Sequence, residues 1–350
     1  MLTTVPGIED IVVREITMKG FNVYSWYKIG ITELSGRLIV ETDEKILKNI
    51  RNFRTIEKAY LVIDEGTIPG RDLESLKKLI THINVDPIVD MFTPHTTFAV
   101  RSVRAGDHEF TSMDVSRLFG DKLRNSVREK LGFYPIVNLD NPDIIIELDV
   151  IGDRYVLAIE IIHRSLRQRS YRVFHHEATL NPPLAYAMNM LLNYDRYGKH
   201  VLLDPLCGSG TIIIEGLYHY VNSTYYGVEI YVHNCRGALR NIYEAEVHDR
   251  ACIICSDSTR LSSFIRYCDG IVTNPPYGIR MRTIDDSLRK FYVKILEEFS
   301  KVLRDGGKIV LISPRRGLVE HAAHVNKLEI VERREVEQGG MISTIYILSR

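Results

Sequence analysis

Two short loops contain the residues whose types and spacing could do chemistry. The first covers residues 204–211, with the sequence DPLCGSGT, between the apolar runs 201–203 and 212–214. The second covers residues 273–278, TNPPYG, directly after the apolar pair 271–272. Both patterns indicate a strand that ends in a loop, and ligands of open parallel sheets bind beyond the carboxyl ends of the strands. We therefore expect the two loops to meet at one binding site.

The first loop is suited to binding a cofactor. Gly208 and Gly210 allow the backbone to turn sharply into a helix and to approach a ligand closely. Ile213 occupies the place of a third glycine, and no lysine follows the loop as it would in a phosphate-binding P-loop. The pattern therefore disfavours a dinucleotide-dependent redox enzyme and a nucleotide hydrolase.

Two acidic residues extend this predicted cofactor site. Glu229 lies 19 residues after Gly210, at the end of the next predicted strand, where an acid commonly binds a ribose. Asp257 follows the third apolar strand and is placed to meet an adenine amine. The alternative interpretation is that each carboxylate only caps a helix.

The second loop is suited to binding an exocyclic amine on a planar base. Such an amine is a weak nucleophile because its lone pair is delocalised into the ring. The Asn274 side-chain oxygen and the Pro275 carbonyl can each accept one amine hydrogen, while Pro276 helps to stiffen the backbone. Tyr277 would stack on the base, a contact worth about 1–3 kcal/mol. A proline-stiffened turn is the alternative, but together the two loops predict methyl transfer to a base amine.

Composition limits the class of protein. The chain has 350 residues, 45% of them hydrophobic, which predicts two or three domains. Lys plus Arg and Asp plus Glu both number 45, so net charge gives no indication of a nucleic-acid partner. The N-terminus lacks the features of a secretory signal, and no apolar run approaches the roughly 18 residues of a membrane helix. Five cysteines, an odd number, favour a reducing compartment, so we expect a cytoplasmic protein.

One cysteine pair has the spacing of a metal site. Cys252 and Cys255 form a C-x-x-C, but no second Cys or His pair lies at the distance of a zinc ribbon. Both cysteines lie in the apolar stretch 251–255, where a buried strand is expected. We therefore interpret them as core residues and expect no bound metal.

The arrangement of predicted elements indicates the fold class. From residue 181 onward strands and helices alternate, which predicts βαβ units and a parallel sheet. The last two strands flank Gln338-Gly339-Gly340, a pattern typical of a hairpin. Earlier in the chain, the spacing of apolar residues predicts helices over 8–18 and 113–130, and strands over 37–41, 60–63, 97–103, 143–150 and 154–162.

Over residues of about 175–350 these motifs resemble class I S-adenosylmethionine-dependent methyltransferases that methylate amines. The resemblance implies a Rossmann-like α/β domain with a mostly parallel seven-stranded sheet, a terminal antiparallel hairpin and S-adenosyl-L-methionine as cofactor. It also implies that segment 176–182 lies over the cofactor. The implied cofactor-binding residues are Thr179, Asp204, Cys207, Gly208, Ser209, Gly210, Thr211, Glu229, Asp257 and Asn274. The catalytic residues would be Asn274, Pro275, Pro276 and Tyr277.

The middle of the chain resembles a THUMP domain, an RNA-binding module. The matching residues are RSVRAGDH at 101–108, Gly120, and VNLDNPD at 137–143. The preceding residues resemble the ferredoxin-like domain that commonly accompanies it, so both N-terminal domains are expected to be α+β. The implied domains are a ferredoxin-like domain over 1–65, THUMP over 66–163, a basic linker over 164–180 and the methyltransferase domain over 181–350.

Basic residues in these regions are candidates for phosphate contacts, which would position an RNA without reading its sequence. A charge run that is merely a solvated face is the competing interpretation. The candidates are Arg101, Arg104, Lys122, Arg124, Arg128, Arg167, Arg169, Arg280, Arg282 and Arg315.

The combined architecture resembles the tRNA guanine-N2-methyltransferases. It implies tRNA as partner, no membrane and no metal, and we expect a monomer. Relatives that act on guanosine 10 often carry Asp where this chain has Asn274, so the sequence favours guanosine 6 in the acceptor stem. The alternatives are guanosine 10, a guanine in 23S-type rRNA, DNA adenine, a protein glutamine, or an RNA-binding protein without catalysis.

Overall fold

The computed structural model describes residues 1–176, 179–278 and 286–350. These residues divide into two compact units. The first unit contains Met1–Thr4 and Ile16–Leu166, and the second contains Val5–Glu15 and Arg167–Arg350.

The first unit is built on a nine-stranded mixed sheet with the order β2-β3-β1-β4-β9-β8-β5-β7, in which β6 pairs with β8. Its strands are β1 (Leu2–Thr4), β2 (Val23–Lys28), β3 (Arg37–Thr42), β4 (Ile56–Thr67), β5 (Thr97–Arg101), β6 (Arg104–Ala105), β7 (Ile136–Val137), β8 (Ile144–Ile151) and β9 (Arg154–Glu160). Helix α1 (Glu9–Met18) begins in the second unit and ends in the first. The other helices of the first unit are α2 (Ile46–Asn49), a 3₁₀ turn (Ile50–Asn52), α3 (Leu73–His82), α4 (Asp86–Val89) and α5 (Ser112–Leu131).

Helix α5 shows how local sequence determines an element here. Thr111 and Asp114 form a capping box at its start, and Gly132, with a φ of 83°, ends it in the left-handed conformation. The buried residues of the helix recur every four positions and pack into the core of the unit: Val115, Phe119, Leu123 and Val127. The predicted helix over 113–130 is therefore confirmed. The predicted domain boundary at residues 65 and 66 falls inside β4 and stays a prediction.

The second unit contains a seven-stranded sheet with the order β12-β11-β10-β13-β14-β16-β15. Its strands are β10 (Val201–Asp204), β11 (Thr224–Glu229), β12 (Ala251–Cys255), β13 (Cys268–Thr273), β14 (Leu303–Ser313), β15 (Glu329–Gln338) and β16 (Met341–Ser349). Its helices are α6 (Pro182–Leu191), α7 (Thr211–His219), α8 (Val232–Glu244), a 3₁₀ turn (Ser258–Ser263), α9 (Asp286–Val302) and α10 (Arg316–Val325). The pairs among β10 to β14 are parallel and those made by β16 are antiparallel, which confirms the predicted sheet with its terminal hairpin.

The expectation that Cys252 and Cys255 are core residues is wrong. Both are exposed, because β12 is an edge strand of the sheet, and an edge strand is less covered than the central strands. Within residues 1–176, 179–278 and 286–350, no group of three or more His, Cys, Asp and Glu side chains is arranged to hold a metal ion. Among the helices of the described part of the chain, none combines the length and apolarity needed to cross a membrane.

The N-terminal segment Val5–Glu15 lies along the edge strand β15 of the second unit. The Glu337 amide donates to the Pro6 carbonyl at 3.0 Å, and Arg334 Nη1 donates to the Gly7 carbonyl at 3.2 Å. Arg334 Nη2 also pairs with Asp10 Oδ2 at 3.0 Å. An uncovered edge strand is prone to pairing with another chain, so this segment protects the sheet.

Gly7 tests this packing. A Cβ at Gly7 would lie 2.2 Å from the Glu335 carbonyl oxygen, and the residue has a φ of 100°. We expect Gly7→Ala to lower the free energy of unfolding by about 1–3 kcal/mol, because both the backbone and the contact resist a side chain. Gly20→Ala is the matched control for urea unfolding, since Gly20 has a φ of 85° but no atom within 4 Å of an added Cβ. Equal losses in the two variants would contradict the packing of this segment.

Candidate active site

The two predicted loops leave neighbouring strands of the seven-stranded sheet. β10 pairs in parallel with β11 on one side and with β13 on the other, so the strand order reverses between β10 and β13. The cofactor loop, residues 205–210, follows β10, and the amine loop, residues 274–278, follows β13. Both loops therefore leave the same edge of the sheet, at the switch point where ligands bind in open α/β folds.

The cofactor loop has the backbone that its glycines predict. Gly208 and Gly210 have φ values of 50° and 79°, in the left-handed region that favours glycine. The Gly208 amide donates to Glu229 Oε2 at 3.1 Å, and the Tyr231 amide donates to Glu229 Oε1 at 2.9 Å. Glu229 therefore connects the end of β11 to the loop and does more than cap a helix. Its contact with a ribose stays a prediction.

Asp257 has the capping role that the sequence left open. Its Oδ1 accepts from the Thr259 amide at 2.9 Å at the start of the 3₁₀ turn after β12. The next residue, Ser258, donates a hydrogen bond to the Pro205 carbonyl, which holds this turn against the cofactor loop. Asp257 thus lies beside the loop, and its contact with an adenine stays a prediction.

Asp204 is the electrostatic centre of the site. The residue is 1% exposed, and its Oδ1 accepts from the Leu206 amide at 3.2 Å. Its Oδ2 is buried and makes no hydrogen bond of normal geometry with another described residue, although the Thr273 hydroxyl lies close enough to lower the pKa of the carboxyl. Burial raises the pKa of the carboxyl to about 7. Because an unpaired buried carboxylate is costly, this oxygen suits a cationic ligand group.

The remaining predicted cofactor residues line the buried side of the loop. Ser209 Oγ lies 3.1 Å from Thr179 Oγ1 and 3.4 Å from Thr211 Oγ1, so three hydroxyl groups form a chain. Cys207 is buried, and burial raises the pKa of its thiol well above the ordinary value. Cys207 is therefore a packing residue rather than a reactive thiol.

Sequence reasoning missed Asn241, which holds the segment before α6 against the cofactor loop. Its Oδ1 accepts from the Phe174 amide at 2.8 Å, and its Nδ2 donates to the carbonyls of Phe174 at 3.0 Å and Ser209 at 2.9 Å. The available signal was a polar residue on the buried face of α8. Within the predicted segment 176–182, Glu177 and Ala178 lie outside the described residues.

The amine loop carries its acceptors on a supported backbone. Pro275 is buried, whereas Asn274 and Tyr277 are half-buried. The Tyr277 hydroxyl donates to Asn274 Oδ1, so this oxygen already acts as an acceptor, and an incoming amine must share or displace that bond. Burial raises the pKa of Tyr277 far above its ordinary value, which keeps the hydroxyl protonated. The loop backbone is held by Tyr292 and Arg315, neither of which was predicted to do so.

Comparison with known families identifies the second unit. A family model described as "RMKL-like, methyltransferase domain" matches residues 169–344, half of the chain. The chain belongs to the RMKL-like methyltransferase family. A THUMP domain model also matches residues 70–160 of this RMKL-like methyltransferase, which confirms the resemblance found in the middle of the sequence.

The chain is also similar to individual proteins along its whole length. It is 29% identical to the tRNA (guanine(6)-N2)-methyltransferase of Methanocaldococcus jannaschii, covering 99% of both chains. It is 27% identical to the protein of the same name from Archaeoglobus fulgidus, covering 99% of this chain and 90% of that protein. Its fold is similar to TrmN from Thermus thermophilus, with a TM-score of 0.79 at 24% identity over 100% of this chain and 98% of that one.

The predicted RNA contacts of this RMKL-like methyltransferase divide into several groups. Lys122 Nζ donates to the carbonyls of Ile80, Thr81 and Ile83 at 2.5–2.8 Å, which caps the end of α3 and leaves little capacity for a phosphate. Arg169 forms an ion pair with Glu215 at 2.9 Å, and its side chain is only 8% exposed. These two side chains therefore have structural roles, which sequence position alone did not reveal.

Two other arginines of the THUMP domain keep the character expected of an RNA surface. The guanidinium carbons of Arg124 and Arg128 lie 5.5 and 4.6 Å from the ring centroid of Tyr134, which is 47% exposed. Cations beside an exposed aromatic ring are suited to phosphates and stacked bases. Their RNA contacts stay a prediction.

The last candidates differ in their surroundings. Arg101 Nη1 lies 3.9 Å from Glu160 Oε2, and Arg104 Nη1 donates to the Gly106 carbonyl. Arg167 is exposed. Arg280 and Arg282 lie outside the described residues, so their predicted contacts with RNA stay predictions as well.

Proposed function

We propose that this RMKL-like methyltransferase transfers a methyl group from S-adenosyl-L-methionine to N2 of guanosine 6 in the acceptor stem of tRNA. The observation that carries this proposal is the pairing of β10 with β13, which places the cofactor loop beside the Asn-Pro-Pro-Tyr loop. The relatives named for guanosine 6, matched over 99% of the chain, support the choice of nucleotide.

The residues of the cofactor loop fit S-adenosyl-L-methionine. Asp204 Oδ2, which is buried and makes no hydrogen bond of normal geometry with another described residue, would pair with the ammonium group of the methionine part. Gly208 and Gly210 would let the backbone approach the same part, while Glu229 would accept from the ribose hydroxyls and Asp257 from the adenine amine. When bound, the cofactor supplies an electrophilic methyl carbon on a sulfonium.

The amine loop would prepare the nucleophile. The Asn274 oxygen and the Pro275 carbonyl would each accept one hydrogen of the guanine amine, which favours a tetrahedral nitrogen and directs its lone pair. Tyr277 would stack on the base and help to offset the few kcal/mol needed to move a nucleotide out of a helix. No general base is required, because the amine proton can leave after methyl transfer.

Labelled S-adenosyl-L-methionine tests the proposed function. The protein is incubated with separate pools of tRNA, rRNA, DNA and protein, and the modified nucleoside is mapped. We expect N2-methylguanosine at position 6 of tRNA. Label at guanosine 10 would correct the nucleotide, whereas label in rRNA, DNA or protein, or in no pool, would overturn the proposal.

Gly237 provides a test of the cofactor site. A Cβ at Gly237 would lie 2.2 Å from the Phe174 ring, so Gly237→Ala should displace the segment that Asn241 holds against the cofactor loop. Overpacking costs about 1–3 kcal/mol, so we expect the dissociation constant of S-adenosyl-L-methionine to rise about 5–150-fold in calorimetry. Gly317→Ala, also on a helix but with no atom within 4 Å, is the control and should bind normally. If both variants bound the cofactor normally, this segment would not be part of the cofactor site.

We further propose that the protein acts in the cytoplasm as a monomer. The five cysteines of the described residues are all free, which is consistent with a reducing compartment. Light scattering during size-exclusion chromatography tests the monomer, and fractionation of cells tests the compartment.

A further inference from the structure

The two prolines of the amine loop determine only part of its backbone. Asn274 and Pro275 each precede a proline, which restricts both to extended conformations, and the rings lock φ of Pro275 and Pro276. The ψ angle of Pro276 and both angles of Tyr277 remain soft, because nothing in the prolines restricts them. Proline stiffness therefore ends directly before Tyr277, the residue that would stack on the base.

A ring of hydrogen bonds holds the part of the backbone that the prolines do not restrict. The Tyr292 hydroxyl donates to the Pro276 carbonyl at 3.2 Å, and Arg315 Nε donates to the Tyr277 carbonyl at 3.0 Å. Ser313 Oγ joins these two residues, since it lies 3.0 Å from the Tyr292 hydroxyl and accepts from the Arg315 amide at 3.1 Å. The Pro276 carbonyl is thus held from α9, and the Tyr277 carbonyl is held by Arg315, the residue directly before α10.

Only one assignment of the hydroxyl protons satisfies every hydrogen bond of the ring. Tyr292 has a single hydroxyl proton, which goes to the Pro276 carbonyl, so Ser313 must donate its own proton to the Tyr292 oxygen. Ser313 can then accept from the Arg315 amide. Each proton is used once and each bond supports the next, as in other cooperative networks.

The hydroxyl pair at the centre of this ring is buried. Tyr292 and Ser313 are both 0% exposed, so water does not compete for the bond between their hydroxyls, while the other three bonds of the ring are part-buried. Burial also raises the pKa of Tyr292 to about 12, which keeps the hydroxyl protonated at neutral pH.

We propose that Tyr292, Ser313 and Arg315 are positioning residues that hold the backbone of Pro276 and Tyr277 for the base. This inference rests on the proposed function for its catalytic consequence. It assigns Arg315 to the amine loop rather than to an RNA phosphate. Among the described residues the hydrogen bonds of the ring reach the amine loop and not the cofactor loop, so its loss should lower kcat while leaving cofactor affinity unchanged.

Tyr292→Phe tests the ring, with Tyr220→Phe as the matched control. Tyr220 is also 0% exposed, and its hydroxyl donates to the Asn189 carbonyl at 3.0 Å, outside the loop. We expect Tyr292→Phe to lower kcat about tenfold, with tRNA and cofactor affinity within about twofold of wild type. Tyr220→Phe should lose about as much thermal stability as Tyr292→Phe but keep the kcat of the wild type. An unchanged kcat in Tyr292→Phe, or equal losses of kcat in both variants, would overturn the proposal.

The salt dependence of tRNA binding separates the two roles of Arg315. Removing a phosphate contact reduces the slope of log affinity against log salt by about 1. We expect Arg315→Met to leave this slope unchanged while lowering kcat about tenfold or more, whereas Arg128→Met should reduce the slope. A reduced slope in Arg315→Met would show that Arg315 contacts an RNA phosphate, and it would contradict its proposed role in the ring.

Chymotrypsin provides a readout that needs neither tRNA nor activity. Chymotrypsin cuts after tyrosine, and Arg315 holds the carbonyl of the bond after Tyr277, so loss of the ring should free this bond for the protease. We expect cleavage at this bond, followed by mass spectrometry, to be about tenfold faster in Tyr292→Phe and Arg315→Met than in wild type or Tyr220→Phe. Equal cleavage rates in all four proteins would overturn the proposed role of the ring, whatever the substrate of the enzyme. A wild-type protein that methylates no tRNA would overturn only the proposed function.

Discussion

Asn274→Ala is expected to lower the methylation rate of tRNA by about 10²–10³-fold, the usual effect of removing one preorganised polar group from the reacting centre. The Asn274 oxygen would accept a hydrogen of the guanine amine, and alanine has no acceptor. Since the side chain acts on the substrate, the dissociation constant of S-adenosyl-L-methionine should change little. Single-turnover kinetics with saturating cofactor, together with calorimetric titration of the cofactor, would measure the two effects separately.

Two further variants refine this result. Asn274→Asp keeps an acceptor and should retain more activity than Asn274→Ala. Tyr277→Phe removes the hydroxyl that donates to Asn274 Oδ1 but keeps the aromatic ring, so it should retain base stacking. A loss of cofactor affinity in Asn274→Ala equal to its loss of rate would contradict the assigned role.

Asp204→Asn is expected to stabilise the free protein at pH 8 while weakening its binding of the cofactor. The pKa of Asp204 is raised from 3.8 to about 7, so the folded state binds the proton more tightly than the unfolded state. Its contribution to the free energy of unfolding therefore falls as pH rises from about 4 to about 7 and is then constant. The total loss is about 4 kcal/mol, since each pKa unit corresponds to about 1.4 kcal/mol.

Asparagine is neutral at every pH and avoids this loss. Urea unfolding without ligand should show Asp204→Asn above wild type at pH 8, with the difference disappearing below about pH 4. Removing one partner of a buried charge pair costs about 2–5 kcal/mol, so the dissociation constant of S-adenosyl-L-methionine should rise by at least about 30-fold. A variant that is less stable at pH 8, or that binds the cofactor normally, would show that Asp204 Oδ2 is not the site of a cationic group.

The segment Val5–Glu15 changes how the role of the THUMP domain must be tested. Deleting residues 1–165 should remove tRNA binding, but it also removes this segment from the edge of the methyltransferase sheet. A loss of activity in such a truncation would therefore have two causes. Substitution of Arg124 and Arg128 in the full chain avoids this difficulty, because both lie within the first unit.

Local patterns were sufficient wherever one segment determines its own structure. The capping box and four-residue spacing of α5, the hairpin at residues 338–340 and the glycine loop after β10 all follow from residues that are close in sequence. The convergence of the two loops was also predictable, because consecutive βαβ units place the carboxyl ends of their strands at one edge.

The roles of single charged residues were not predictable in the same way. Lys122 and Arg169 share the basic character of Arg124 and Arg128, yet they bind the end of α3 and the buried Glu215. Cys252 and Cys255 lie in a strand with an apolar sequence, and only its place at the edge of the sheet exposes them. The partner of a long side chain depends on segments far away in sequence, which no local pattern contains.

The sequence by itself therefore determined the chemistry available to this protein: a glycine loop for a cofactor, an Asn-Pro-Pro-Tyr loop for a base amine, and a THUMP-like region for RNA. Tertiary structure decided how that chemistry is held in place. Tyr292 and Arg315 reach the amine loop from other elements, and the packed sheet buries the Asp204 carboxyl away from water. Composition and spacing specify which groups are present, but burial and hydrogen-bond partners arise only when distant segments pack together.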